Sequence, residues 1–253
     1  MLLALDIGNT NIVIGVFEGD SLKGHWRVST DAGRTADEYG LTLLGLLNAA
    51  GVDKSAVKGA IIASVVPRLT GALSGAVYEY LGLAARVVTH QNCLIPVLTD
   101  DPAEVGADRL VNAVAAFSVH ARSLIVVDFG TAVTFDLVTE KGEYAGGIIA
   151  PGIGISSEAL FSRTAKLPMV EPGRPSALIG TNTIDSMRSG LFYGFLGLVD
   201  AIIERMIREA GGSPKIVATG GLAPMVIGES RYITESDEFL TLKGLKIIYE
   251  GKM

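Results

Sequence analysis

An α/β fold built from two related halves is what this sequence predicts, and three observations carry the prediction. Short apolar runs of strand character alternate with segments of helical spacing along the whole chain. A pattern close to the N-terminus returns 122 residues later, so that Asp6 and Gly8 fall on Asp128 and Gly130, each pair lying between an apolar strand and a second strand. The 253 residues are 49% hydrophobic and 19% charged, with mean hydropathy +0.42, which is enough apolar side chain for a large core and excludes a disordered or coiled-coil chain. A chain of this length suits one large domain or two of about 125 residues. The repeat favours two, expected at 1–120 and 121–253, facing each other across a central cleft.

The elements follow in order. Residues 2–5 read as a buried strand and 12–17 as another, with the turn-prone Gly8-Asn9-Thr10-Asn11 between them, the pattern of a hairpin. Residues 26–29 make a third strand. Leu41, Leu44 and Leu47 give 37–49 helical spacing, and 58–65 is again a buried strand. Residues 67–83 form a helix with Pro67 in its first turn, 86–88 a short strand, and 102–120 a helical region re-aimed at Gly106. The second half restarts with a strand at 123–127 ending in Asp128, then Gly130-Thr131, then strands at 133–138 and 145–149. A long helix at 184–209, a strand at 215–218 and a closing helix at 239–249 complete it.

Several function classes are disfavoured at once. The longest stretches without a charge, 39–52 and 144–157, are 14 residues each, short of the roughly 18 that cross a bilayer, so no membrane association is expected. The N-terminus shows no basic leader or cleavage site, and the single cysteine, Cys93, forms neither an intrachain disulfide nor a thiolate cage, so a reducing cytoplasm is expected. A net charge of -6 with no basic block argues against nucleic acid and for a small-molecule partner.

Four constellations carry chemistry. Asp6-Ile7-Gly8-Asn9-Thr10 places a carboxylate at a strand end before a turn whose backbone N–H groups can ring a phosphate, with the carboxylate available to a magnesium ion; an ordinary hairpin needing positive φ is the competing reading. Asp128-Phe129-Gly130-Thr131 repeats the pattern, and two such turns face to face would clamp a triphosphate and its cation. Gly220-Gly221 follows a strand through Thr219 and offers a turn free of side chains to a flat nucleoside, though the same pair also serves as a plain strand-to-helix turn. Neither a Walker A run nor G-x-G-x-x-G after a strand is present. Finally, Asp108 and Arg109 set an acceptor carboxylate beside a forked cation, able to orient a hydroxyl nucleophile and grip an anion; helix capping explains Asp101 better than it explains this pair. His25, His90 and His120 lack ligand spacing, and Trp26 belongs to no aromatic stripe.

Together with Ile62 to Pro67, Gly146 to Gly152 and Gly180 to Thr183, these motifs give a chain that resembles the type III pantothenate kinase family over nearly its whole length. The resemblance implies two duplicated ribonuclease H-like domains of the acetate and sugar kinase, Hsp70 and actin superfamily. It implies ATP-dependent phosphorylation of pantothenate to 4'-phosphopantothenate, the first step of coenzyme A biosynthesis. ATP phosphates would be bound by Asp6, Ile7, Gly8, Asn9, Thr10, Asn11, Ile12 and Val13, with Asp6 near Mg2+, and Thr131 would also contact ATP. Pantothenate would be held by Gly106, Ala107, Asp108 and Arg109, with Asp108 the proton acceptor. Asp128 would hold K+ or NH4+, and Thr183 would reach pantothenate across a homodimer interface. One position departs from the family pattern: Thr99 precedes Asp100-Asp101-Pro102 where a tyrosine is frequent, which alters one wall of the implied pocket. A non-catalytic regulator, or a kinase for another small alcohol, is the alternative on the same fold.

Overall fold

The computed structural model describes residues 1–252, which divide into two compact units, 1–119 with 239–252 and 120–238. The first unit is built on a sheet of order β3-β2-β1-β4-β5. Its strands are β1 (Leu2–Ile7), β2 (Asn11–Glu18), β3 (Ser21–Ser29), β4 (Gly59–Ser64) and β5 (Ala85–Val87). β1 and β2 form the expected hairpin, pairing Asp6 with Val13, while β4 runs parallel to β1 and sets Ala63 beside Asp6 and Ser64 beside Ile7. β1 and β4 are near-continuous apolar runs because both lie in the sheet interior.

One face of this sheet is covered by α1 (Ala36–Ala49) and α2 (Pro67–Leu81). Leu43 and Leu47 from α1 and Leu69, Leu73 and Val77 from α2 join Leu3, Leu5, Ile7 and Ile12 in one buried cluster. A capping box fixes the start of α1: Thr35 Oγ1 accepts the Glu38 N–H, and the Glu38 carboxylate accepts the Thr35 N–H. Gly82, at φ 67°, ends α2. The helical stretch re-aimed at Gly106 is a single 3-10 turn at Pro102–Glu104 followed by α3 (Ala107–His120).

The second unit repeats the plan in a sheet of order β8-β7-β6-β9, with β6 (Leu124–Phe129), β7 (Ala132–Val138), β8 (Tyr144–Pro151) and β9 (Lys215–Thr219). An antiparallel meander of three strands is again extended by a parallel strand on the far side of the first. Where the first unit adds β5, this one makes a single bridge between Ala218 and Ser236. Ile125, Val127, Phe129, Val133 and Phe135 face the long helix α5 (Thr183–Ala210) through Leu191, Phe195, Val199 and Ile203. Two short helices go beyond the sequence expectation, α4 (Ile153–Ser162) and α6 (Ala223–Val226). Gly154 within α4 and Pro224 within α6 hide any periodic signal there.

The closing helix α7 (Leu240–Glu250) is not part of the second unit, to which the 121–253 boundary assigned it. It packs against β1, β2 and β4 of the first. Gly15 leaves room for Leu242, Gly59 for Tyr249, and Gly244 lets α7 lie against the Val111 backbone of α3. Lys246, nearly buried, reaches Asp20 in the β2–β3 turn at 2.7 Å.

Candidate active site

In the first unit the phosphate-hairpin candidates occupy the end of β1, the 8–10 turn and the start of β2. The Gly8 N–H closes the turn on Asn11 O at 3.0 Å, and Asn9 and Thr10 are exposed at its tip. Ile7 and Ile12 are fully buried beneath it, so their side chains anchor the turn and leave its backbone to make contacts. Asp6 stands one residue before the strand end, half-buried.

The Gly106-Ala107-Asp108-Arg109 motif lies beside this turn through an intermediary. Val65, the residue after β4, donates its N–H to Ile7 O at 3.1 Å, and a Cβ on Gly106 would stand 3.3 Å from Val65 Cγ1. The same Cβ would lie 2.6 Å from Asp108 Oδ1, so glycine at 106 is what lets that carboxylate fold back over the first turn of α3. There Asp108 Oδ1 accepts the Arg109 N–H at 2.8 Å. Capping therefore describes part of what Asp108 does, and the helix N-terminus at which it sits favours negative charge. Thr99, which departs from the family pattern, has its hydroxyl oxygen shielded from solvent with no hydrogen-bond partner among the described residues.

In the second unit Asp128, Thr131, Gly220 and Gly221 come together at the ends of β6 and β9. Gly220 adopts φ 92°, and a Cβ there would stand 2.6 Å from Asp128 Oδ1 and 2.7 Å from the Phe129 backbone. The Gly220 turn is thus pressed onto the acid of the second hairpin, a proximity that the sequence order conceals. Thr219, opposite Asp128 in register, is pinned by its hydroxyl to Asp237 O at 2.7 Å. Thr183 is elsewhere in this unit, at the start of α5. It lines a cavity of about 600 Å³ with Thr181, Asn182, Met187 and Leu160.

Two residues hold these turns, Thr30, which sequence reasoning missed, and Gly152, seen there only as the last residue of the Gly146 to Gly152 motif. Thr30, just past β3, donates its hydroxyl to Gly8 O at 2.7 Å and its N–H to Thr10 O at 2.9 Å. Gly152, just past β8, donates its N–H to Thr131 O at 3.2 Å. Their common place after the third strand of each repeat was the available signal. The buried Asp136 is also new: it accepts Tyr144 Oη at 2.6 Å and Thr134 Oγ1 at 3.2 Å, and Thr134 is the cross-strand partner of Asp128.

The described residues include no cluster of three or more His, Cys, Asp or Glu side chains fit to hold a metal. An oxygen-seeking cation at Asp6 or Asp128 would therefore complete its shell with phosphate, hydroxyl, carbonyl or water oxygens. Magnesium carried by a nucleotide, and potassium, both accept such a shell, so the residues fit those ions.

The fold is that of the actin-like ATPases and sugar kinases. The ATP-glucomannokinase of Arthrobacter, which also uses inorganic polyphosphate, superposes with TM-score 0.52 at 14% identity over 99% of this chain and 98% of that one. The activator of the 2-hydroxyisocaproyl-CoA dehydratase from Clostridium difficile, solved with ADPNP bound, gives 0.59 at 12% identity over 99% and 96%. Within that class the sequence is specific: residues 2–205 match the profile of type III pantothenate kinase. The type III pantothenate kinase of Pelobacter propionicus is 52% identical over 251 residues, 99% of each chain. The chain belongs to the type III pantothenate kinase family.

Proposed function

We propose that this chain transfers the γ-phosphoryl group of ATP to the primary hydroxyl of pantothenate, yielding 4'-phosphopantothenate for coenzyme A synthesis. The observation that carries the proposal is family identity across 99% of both chains, joined to two acidic turns at matching places in the repeated sheets. The Asp6 turn and the Asp128–Thr131 turn bind ATP phosphates through backbone N–H groups, and Gly220-Gly221 receives the nucleoside. Asp6 would hold the magnesium of the nucleotide and Asp128 potassium or ammonium, ions that would supply positive charge beside the phosphates.

Phosphoryl transfer passes through a loose transition state, so the residues act by alignment more than by bond-breaking. Asp108 orients the pantothenate hydroxyl in line and accepts its proton, while Arg109 grips the carboxylate of the same substrate. Glycine at 106 supports this role because it leaves open the space in which the Asp108 carboxylate stands.

The family implies a homodimer, with Thr183 acting across the interface. The second unit supports it with exposed apolar side chains close to that residue in the chain: Leu178, Ile179 and Ile184, with Ile179 82% exposed. No helix among the described residues is long and apolar enough to cross a membrane. We place the enzyme in the cytoplasm, where ATP and potassium are abundant. The test is substitution at the proton acceptor. Asp108→Asn is expected to lower kcat by at least about 100-fold with ATP binding nearly intact. Near-normal turnover would remove Asp108 from the mechanism.

A further inference from the structure

We propose that Thr30 presets the phosphate grip of the first hairpin by orienting two of its peptide planes. Its hydroxyl holds the Gly8 carbonyl at 2.7 Å and its N–H holds the Thr10 carbonyl at 2.9 Å. In a trans peptide the C=O and the following N–H point in opposite directions, and the described residues contain no cis bond. Fixing Gly8 C=O toward Thr30 therefore turns the Asn9 N–H away from it, and fixing Thr10 C=O does the same for the Asn11 N–H. Both donors then face away from Thr30, in a turn whose Asn9 and Thr10 are exposed to an arriving ligand. N–H groups set in this way form a concave surface for an anion, and donors aimed in advance need no reorganisation when charge arrives.

The second unit supplies an independent argument. Gly152 follows β8 as Thr30 follows β3, 122 residues further on, and makes the same backbone bond, its N–H to Thr131 O at 3.2 Å. Thr131 immediately precedes β7 as Thr10 immediately precedes β2. The turns differ in length: residues 8–10 separate β1 from β2, whereas only 130 and 131 separate β6 from β7. The longer turn has one more peptide to fix, and the Thr30 hydroxyl fixes it. In the shorter turn a side chain at 152 has no such task, and its Cβ would collide with the Thr131 carbonyl.

Thr30 is thus a positioning residue, and the inference rests on the reading of residues 6–13 as the phosphate site. Calorimetric titration of the full chain with Mg·ATP and with adenosine, for wild type, Thr30→Val and Thr30→Ser, tests it. Thr30→Val keeps the shape and removes the donor, so ATP affinity should fall about 5- to 10-fold, the usual range for one lost hydrogen bond, with adenosine affinity unchanged. Thr30→Ser keeps the donor and should stay within about 2-fold of wild type. General loosening of the fold would weaken both ligands and would not be rescued by serine. Equal loss of ATP and adenosine, no recovery in Thr30→Ser, or wild-type ATP affinity in Thr30→Val each overturns the role of Thr30. A wild-type chain that binds ATP no better than adenosine overturns the phosphate reading and the inference together.

Discussion

At Gly220 the backbone runs at φ 92° and the Asp128 carboxylate fills the space a side chain would need, so one hydrogen atom in place of a methyl sets where an acid stands. Gly220→Ala is therefore expected to cost about 1–3 kcal/mol in stability, from backbone strain and overpacking combined. It should also weaken Mg·ATP use while leaving pantothenate binding intact. Thermal melts and separate KM values for the two substrates check this, and an unchanged KM for ATP would show that Asp128 tolerates the displacement. The sequence displayed the acids and glycines at this scale, because the requirement for glycine is local and the repeat doubles the signal. It did not display Thr30. A threonine after a strand is ordinary, and what marks this one is a partner 22 residues away. The Asp136–Tyr144 pair was hidden for a related reason, since Tyr144 falls just outside the strand expected at 145–149 and its partner stands eight residues away.

Among the elements, the helix α7 separates what is locally written from what is not. Its periodicity announced a helix to within a residue, yet not its address, because packing on β1, β2 and β4 depends on contacts with the far end of the chain. Lys246 helps to fix that address. Burial opposes its charge, but hydrogen bonds to Asp20 and Glu250 outweigh burial and hold its pKa above the ordinary lysine value. A raised pKa means that this contribution is complete below the unfolded value of 10.5 and is lost as pH climbs through the folded one. The Lys246 hydrogen bond holds the Asp20 carboxyl below its ordinary value, so the acid side of the same pair is complete above the unfolded value of 3.8 and is lost as pH falls through the folded one. Asp20→Asn should lower the melting temperature by only about 1–3 °C at pH 7, because Asp20 is exposed and Glu250 remains. The difference from wild type should shrink at pH 11, and a difference that grows there would contradict the assignment. At the start of α5, Asn182 accepts the Asp185 N–H at 2.9 Å, and Asn182→Ala should cost about 1 kcal/mol by calorimetry.

For the whole molecule, the duplication was legible because each copy carries its own acid, glycine and pair of strands. The strand order of the two sheets then agrees through the first four positions, and only the fifth strand of the first unit is reduced to a bridge in the second. What the sequence could not express was that the chain returns to its first unit after residue 238. The assembly state is argued at this scale too. Ile179→Asp places a charge on the apolar surface near Thr183, so sedimentation should show a dimeric wild type and a monomeric, weakly active variant. A wild type that is monomeric and fully active would dismiss the interface.

The central claim is that this chain phosphorylates pantothenate on its hydroxyl. Phosphorus NMR of a reaction containing Mg·ATP and potassium, run with pantothenate, with a panel of sugars, and with acetate, tests it most directly. We expect a phosphomonoester signal to grow with pantothenate alone, in step with ADP, and to grow at least about 100-fold more slowly in Asp108→Asn. ATP consumed without that signal, or a phosphorylated sugar or acetyl phosphate in its place, would contradict the account.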